Sequence, residues 1–176
     1  MNLKDLQKPL ELKDIDFRIQ SINKGGYATI LAYKDARVDM NRLDDVCGFD
    51  WQKDYKTIDG RLYCGIGIKQ DDEWRWRWDV GTESYTEKEK GQASDSFKRA
   101  GFCWGIGREL YDFPVIQIKL KSNEFRVENN KVYPTYELKL RDWRWCLQRD
   151  DSGITYLGTI DNNNELRFKH GEHKES

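Results

Sequence analysis

Histidine, phosphate-binding loops and long apolar runs are scarce or missing in this chain of 176 residues. Its two histidines, His170 and His173, both stand in the charged end of the sequence. A serine or cysteine nucleophile needs a positioned imidazole as its base, so a triad hydrolase is excluded. The lack of a G-x-x-x-x-G-K-[S/T] motif excludes an ATP-driven motor. No apolar run approaches the roughly 20 residues of a membrane span.

Metal-binding and targeting signals are also missing. The four cysteines lie far apart, without a C-x-x-C pair or a nearby histidine, which indicates reduced thiols rather than a zinc site. The first residues lack the apolar core of a signal peptide. We therefore expect a cytoplasmic protein that carries no metal or other cofactor and contacts no membrane.

The chain is rich in aromatic and charged residues, which make up 13% and 35% of it. This much aromatic material is typical of a folded protein rather than a disordered one. The formal net charge is −1, but residues 115–149 hold eight basic and four acidic side chains. Because the protein as a whole is not basic, a polyanion would have to bind a local groove made by the fold.

Hydrophobic periodicity predicts an α+β fold: a β-hairpin, a helix, an antiparallel three-stranded meander and a long helix, followed by a β-rich C-terminal part. The strands before that part are expected at 16–20, 27–33, 51–58, 61–69 and 73–80, and the helices at 36–47 and from about residue 88. Asp35 would cap the first helix and Gly48 would end it. A core is expected over 1–114 and a β-rich extension over 115–176, with a disordered tail from about residue 170.

One predicted strand alternates tryptophan and arginine, since residues 73–79 read EWRWRWD. Alternation places three tryptophans on one face of the strand and Arg75 and Arg77 on the other. Large aromatic side chains usually build cores, so we expect the tryptophans to face the interior and the arginines to pair with carboxylates at the surface. The alternative is nucleic-acid binding, with bases stacked on the tryptophans or a phosphate backbone held by the arginines.

The second predicted helix carries a polar edge formed by Lys90, Ser94 and Lys98, and phosphate binding is one use of such an edge. Asp95 stands four residues before Arg99. The ordinary interpretation of that spacing is an ion pair along the helix surface.

An acidic motif leaves an enzymatic alternative open. Glu137 and Lys139 fall in a predicted strand over 132–140, and Asp112 precedes them. Such a set imitates a Mg²⁺-dependent nuclease, in which carboxylates hold the metal and the lysine assists the attacking water. In an alternating, lysine-rich strand the ordinary interpretation is a solvated face.

Several segments together resemble a known family. They are 33–38 (YKDARV), 46–51 (VCGFDW), 78–81 (WDVG), 89–91 (EKG), 94–100 (SDSFKRA) and 104–107 (WGIG). From about Asp14 to Pro114, and in the right order, they resemble the Rad-fifty-two-type single-strand annealing proteins, in particular the short phage members. The Lys-Arg-Ala helix followed by Gly-x-Gly is the most specific piece, and residues 115–176 are not covered.

The resemblance implies that residues 1–114 form an annealing core that assembles into rings or filaments. It also implies binding of single-stranded DNA in a positively charged groove, and ATP-independent annealing of complementary strands in homologous recombination and DNA repair. The protein would not be an enzyme, and a recombination exonuclease or a single-strand-binding protein would be a candidate partner.

The family's DNA-binding positions can be carried over to this sequence. Arg37, Lys98 and Arg99 match basic residues that line the family's inner DNA site. Phe49 occupies an aromatic position near that groove, and Lys90 matches a basic position earlier in the second helix. Arg75 and Arg77 are further candidates, suggested by the strand pattern rather than by the family.

One position departs from the family pattern. Phe102 stands where better-known members have a further basic residue, so the groove would be either less positive or rebuilt by Arg108. The positive stretch 115–149 could supply the missing charge, and it could equally form a subunit interface or dock a partner. Two other function classes stay open. They are the Mg²⁺-dependent nuclease and a module that binds double-stranded RNA or a protein, because mixed α/β sheets serve such roles too.

Overall fold

The structure, a computed structural model, describes residues 1–82 and 88–174, and of 88–90 it describes the backbone alone. Within these residues the chain has antiparallel sheets, two α-helices and a β-rich C-terminal part, which confirms the predicted α+β fold class. The chain divides into two compact units. Unit 1 consists of Met1–Asp14 and Lys34–Glu109, and unit 2 consists of Ile15–Tyr33 and Leu110–Ser176.

The elements follow the predicted order. The strands are β1 (Asp16–Ile22), β2 (Tyr27–Tyr33), β3 (Trp51–Ile58), β4 (Arg61–Gln70), β5 (Glu73–Val80), β6 (Ile116–Lys119), β7 (Phe125–Glu128), β8 (Lys131–Pro134), β9 (Arg144–Asp150), β10 (Gly153–Ile160) and β11 (Leu166–Gly171). The α-helices are α1 (Ala36–Cys47) and α2 (Lys88–Trp104). In the part of the chain that the structure describes, no helix is both long and apolar enough to cross a membrane.

Helix α1 begins and ends where the sequence predicts. The Asp35 carboxylate accepts a hydrogen bond from the Arg37 backbone N–H at 2.8 Å, which satisfies one of the free amides of the first turn. At the other end Gly48 has a positive φ of 58°, a conformation that glycine adopts without steric penalty, and its N–H donates to the Asp44 carbonyl.

In unit 1 the meander β3-β4-β5 packs one face against the two helices. Strand β4 lies in the middle, and its apolar side chains alternate with Gly65 and Gly67. The buried core of this unit contains Leu6, Leu43, Cys47, Cys64, Ile66, Ile68, Phe97, Ala100, Trp104 and Ile106. Phe97, Ala100 and Trp104 of α2 therefore cover the apolar side chains of β4.

Unit 2 contains the sheets β1-β2-β6 and β11-β10-β9, together with the hairpin β7-β8. Its buried core contains Ala28, Ile30, Ile116, Ile118, Leu120, Leu140, Trp143 and Leu157. The rings of Phe17 and Trp145 stack at its margin, with centroids 3.6 Å apart and planes within 6°. Unit 2 therefore contains the N-terminal hairpin together with the region that was expected to be a β-rich extension.

Three details differ from the sequence-based expectations. The hairpin β1-β2 pairs with β6, and so groups with unit 2 rather than with the meander as the division at residue 114 would have it. Strand β11 extends to Gly171, past the expected start of a disordered tail at about residue 170. The predicted strand over 132–140 is β8 alone, followed by irregular structure.

Candidate nucleic-acid interface

Two basic side chains from different helices act on one carboxylate at the start of α1. Arg37 is 82% exposed, and its Nε donates to the Asp35 carboxylate at 2.9 Å. This bond, the hydrogen bond from the Arg37 backbone and the positive charges of Arg37 and Lys98 lower the pKa of Asp35. Lys98 belongs to α2, so the fold brings Arg37 and Lys98 into one electrostatic neighbourhood. We call these two residues the cation pair.

A buried ion pair lies beneath the cation pair. The Lys34 ammonium donates to Asp39 Oδ1 and to the Lys98 backbone carbonyl, the latter at 3.4 Å, and its Nζ lies 4.2 Å from the centre of the Phe102 ring. Gly101 leaves room for this arrangement, because a Cβ there would collide with the Asp39 carboxylate. The pair therefore holds α1 against α2 at the place where Arg37 and Lys98 emerge.

Burial dominates the electrostatics of this ion pair. Removal from water raises the pKa of Asp39 to about 6, although the nearby Lys34 ammonium acts in the opposite direction. Burial likewise lowers the pKa of Lys34. Asp39 Oδ2 is buried and has no hydrogen-bond partner among the described residues. Sequence reasoning missed this pair, because lysine is seldom fully buried and nothing in the pattern around Lys34 marks it as an exception.

Lys98 and Arg99 point to different sides of α2. Neighbouring residues on an α-helix lie about 100° apart around its axis. Arg99 faces β5, where its Nε lies 3.4 Å from the Asp79 carboxylate. Arg77 of β5 is on the same side: it donates to the Cys103 carbonyl, and its guanidinium carbon lies 4.4 Å from the centre of the Trp104 ring. The adjacent residues of the Lys-Arg motif thus belong to two separate surfaces.

Asp95 does not act as the partner of Arg99, contrary to the expected ion pair along the helix. Its carboxylate accepts hydrogen bonds from the backbone N–H and the hydroxyl of Thr82, at 2.8 and 3.0 Å. Asp95 therefore ties the chain after β5 to α2.

The remaining predicted site residues lie at other positions of unit 1, and the side chain of one of them is outside the described residues. Phe49 is fully exposed, but it follows the other end of α1, about 15 Å along the helix axis from Arg37. Arg75 is exposed on β5. The Lys90 side chain is outside the described residues. Arg108 donates to the Phe102 carbonyl at 2.8 Å, and so binds the C-terminal end of α2.

The structure reverses the expectation for the tryptophans of β5. The arginine face of this strand is the one turned toward α2, as the contacts of Arg77 show. The tryptophans lie on the opposite face of the meander, which no α-helix covers among the described residues, and Trp74 is 40% exposed. We call Trp74, Trp76 and Trp78 the tryptophan face.

The strand expected for the nuclease motif is not present. Glu137 lies in a turn that follows β8, and its N–H donates to the Thr135 hydroxyl at 3.3 Å. Within residues 1–82 and 88–174, no group of three or more His, Cys, Asp or Glu side chains is placed to hold a metal ion. Glu137 and Lys139 therefore do not stand on a strand, where the nuclease motif was expected.

Comparison with known proteins found relatives that are named as single-stranded DNA-binding proteins. The chain is 33% identical over 129 residues to the single-stranded DNA-binding protein DdrA of Deinococcus radiodurans, a match that covers 65% of this chain and 58% of that protein. It is 34% identical over 128 residues to DdrA of Deinococcus deserti, covering 65% and 60%. The chain thus spans less than two thirds of the length of these curated relatives. No protein-family model and no solved structure matches it.

Proposed function

We propose that this protein binds single-stranded DNA by its phosphates and that the cation pair is the centre of the binding site. The observation that carries the proposal is the Lys34 ammonium, which donates to Asp39 of α1 and to the Lys98 carbonyl of α2 and so holds together the stretches of the two helices that carry Arg37 and Lys98. The similarity to two proteins named for single-stranded DNA binding supports it. Arg99 and Arg77, with Arg75 beyond them, would extend the contact along the β5 side of α2, and Lys90 and Phe49 remain outer candidates.

The finer part of the proposal is annealing without a motor. A groove that neutralises phosphates and leaves base edges outward lets a second strand test its pairing before either strand is released. Repetition of the site in a homo-oligomeric ring or filament multiplies a weak contact per subunit. No side chain has to act as a chemical catalyst. We place this activity in homologous recombination and DNA repair, in the cytoplasm, with a recombination exonuclease or a single-strand-binding protein as candidate partners.

The binding proposal is tested by fluorescence anisotropy of a labelled oligodeoxythymidine between 50 and 200 mM salt. Each phosphate contact that is lost reduces the slope of log affinity against log salt by about 0.7 for single strands. We expect that reduction for Lys98→Ala and for Arg37→Ala. Lys4→Ala, which removes an exposed lysine of the same unit, is the matched control and should leave the slope unchanged. An unchanged slope in both cation-pair variants would refute the site.

The annealing proposal is tested by fluorescence energy transfer between complementary labelled oligonucleotides without ATP. The double variant Lys98→Ala/Arg99→Ala should stay folded, keep its native mass and anneal more slowly than the wild type. A normal rate in that variant would show that these side chains do not form the site. A monomeric native mass would refute the ring or filament, and preferential binding of duplex RNA would favour the alternative binding module.

A further inference from the structure

The tryptophan face is built as a flat surface. A Cβ placed on Gly65 would lie 2.5 to 2.7 Å from three ring atoms of Trp78, and one on Gly67 would lie 2.8 to 2.9 Å from the same three atoms of Trp76. Such nearly equal distances mean that each indole lies flat over a glycine of β4. One face of each ring covers the backbone, and the opposite face is turned away from the sheet.

The three indoles form a row along β5. The ring centres of Trp76 and Trp78 are 5.5 Å apart with planes 23° apart, and those of Trp74 and Trp76 are 6.5 Å apart with planes 37° apart. Trp74 is 40% exposed, and the other two are partly exposed. Aromatic side chains of a hydrophobic core are buried, whereas these three rings are exposed or partly exposed. The row of indoles is therefore not accounted for by core packing.

Basic side chains accompany the row. The Lys56 ammonium lies 4.3 Å from the centre of the Trp78 ring. The strand register and the alternation of side chains place Arg61 and Lys69 on the same face, and Asp54 is its acidic member. Lys69 also pairs with Asp72 in the turn before β5, at 3.0 Å. The face therefore combines open aromatic rings with an excess of positive charge.

We propose that the tryptophan face is a base-stacking site for single-stranded DNA, separate from the cation pair. This inference rests on the proposed function, because the occupant is the same strand. Aromatic rings stack on bases of any sequence, and a neighbouring lysine supplies a phosphate contact. Bases would stack on Trp74 and Trp76, while Lys56 would bind a phosphate beside Trp78.

The spacing of the indole rings limits how a DNA strand would lie on the tryptophan face. Stacked bases rise by about 3.4 Å per nucleotide, whereas the ring centres are 5.5 and 6.5 Å apart. Bases that occupy neighbouring rings must therefore be separated from one another. Stacking uses the π-face of a base and leaves its pairing edge free, so a strand held in this way stays open to a complementary strand.

The test compares two oligonucleotides of equal length, about 20 nucleotides, which exceeds the site size of common single-strand-binding folds. One is oligodeoxythymidine and the other is an abasic strand with the same phosphates. Anisotropy gives the ratio of their affinities for the wild type, for Trp74→Ala/Trp76→Ala and for Lys98→Ala. Tyr55→Ala is the matched control, because Tyr55 is 37% exposed on the other face of the same meander.

Base stacking is worth roughly 5- to 150-fold in affinity per base. We expect the wild type to prefer the base-bearing strand by at least the lower figure and the double tryptophan variant to lose that preference. Lys98→Ala should weaken binding of both strands and keep their ratio, and Tyr55→Ala should change neither. Should the double variant lose its native circular-dichroism spectrum, Trp74→Ala alone decides, because that side chain is the most exposed of the three.

Two results would overturn the inference while the proposed function stands. One is an unchanged ratio in the tryptophan variant, and the other is a change in its native mass, which would show that the face joins copies of this chain. A wild type that binds neither strand at low salt would instead refute the proposed function, and this inference with it.

Discussion

The two units bury charge in opposite ways. In unit 1 the fully buried Asp39 receives one side-chain donor, from Lys34, and its second carboxylate oxygen has no partner among the described residues. In unit 2 Arg167, whose side chain is 4% exposed, donates to Glu124 at 2.7 and 2.9 Å and to Asp161 at 3.1 Å. One carboxylate is left partly unsatisfied, and the other two are held by several donors.

The direction of the pKa shifts follows the number of donors. Burial alone would raise the pKa of every one of these carboxyl groups. In Glu124 the hydrogen bonds from Arg167 and from the Lys121 N–H outweigh burial and lower the pKa. In Asp161 hydrogen bonds from Lys121, from two backbone N–H groups and from Arg167 do the same. In Asp39 burial prevails and the pKa rises to about 6. Burial thus favours a higher pKa in all three carboxyl groups, and the number of hydrogen-bond donors decides whether the net shift of the pKa is upward or downward.

The strongest test of the comparison removes the shared donor in unit 2. Arg167→Met leaves two buried carboxylates without their guanidinium, and we expect a loss of about 3–5 kcal/mol in the free energy of unfolding. Urea denaturation near pH 7 measures it. Arg126→Met is the control, since Arg126 is 66% exposed and its pair with Glu128 is loose at 3.6 Å. Equal losses in the two variants would contradict the importance of the network.

The corresponding test in unit 1 is a double-mutant cycle. Lys34→Met leaves the buried Asp39 carboxylate without its side-chain donor. Because the pKa of Asp39 is already raised, we expect a smaller loss of about 2–3 kcal/mol in the free energy of unfolding. Lys34→Met/Asp39→Leu replaces the ion pair by apolar side chains and should recover most of that loss. Urea denaturation of the four proteins gives the coupling energy, and a value near zero would mean that the pair contributes nothing.

The two units should also respond to pH with opposite signs. The folded protein binds the Asp39 proton more tightly than the unfolded chain, so this group stabilises the fold most below pH 4, and its contribution is lost as pH rises to about 6. The contribution of Glu124 is present above pH 4.5 and is lost as pH falls.

Unfolding measured from pH 3 to 8 checks these signs. The stability of the wild type relative to Asp39→Asn should fall between pH 4 and 7 by on the order of 2 kcal/mol. A difference that rises with pH over that range would show that the donors, and not burial, prevail at Asp39.

The smallest expected effect concerns an exposed ion pair. Arg37→Met should change the free energy of unfolding by less than about 0.5 kcal/mol, because Arg37 is 82% exposed and its pair with Asp35 is at the surface. The same variant should weaken binding of single-stranded DNA. A stability loss as large as that of Lys34→Met would mean that Arg37 has a structural role.

Patterns of a few neighbouring residues were sufficient to predict most helices and strands of the fold. The Asp35 cap, the Gly48 end and the alternating strands of the meander each follow from a few neighbouring residues. The pairing of β2 with β6 does not, because it joins residues almost ninety positions apart and nothing in either strand specifies the other.

The orientation of the meander could have been predicted from β4. Its buried side chains Cys64, Ile66 and Ile68 alternate with glycines, and only the glycine-free face offers apolar surface to a helix. The register then places the tryptophans over the glycines, away from the helices. The expectation that large aromatic residues face the core was wrong because it considered β5 without its neighbour.

The candidate site was predicted in part. Resemblance to a family pointed to Arg37 and Lys98, which stand on the two helices that Lys34 holds together, and to Arg99, which the fold directs to Asp79. Adjacent positions on a helix cannot converge on one point, so the motif alone could not show this division. Whether these residues bind DNA stays a prediction.

The pairing of β2 with β6 has a consequence for synthesis on the ribosome. The hairpin β1-β2 leaves the ribosome long before residues 116–119, and until they arrive one side of β2 has unpaired backbone groups. A fragment that ends at residue 114 would keep that edge open permanently. Open strand edges recruit other chains, so we expect such a fragment to aggregate where the full chain does not.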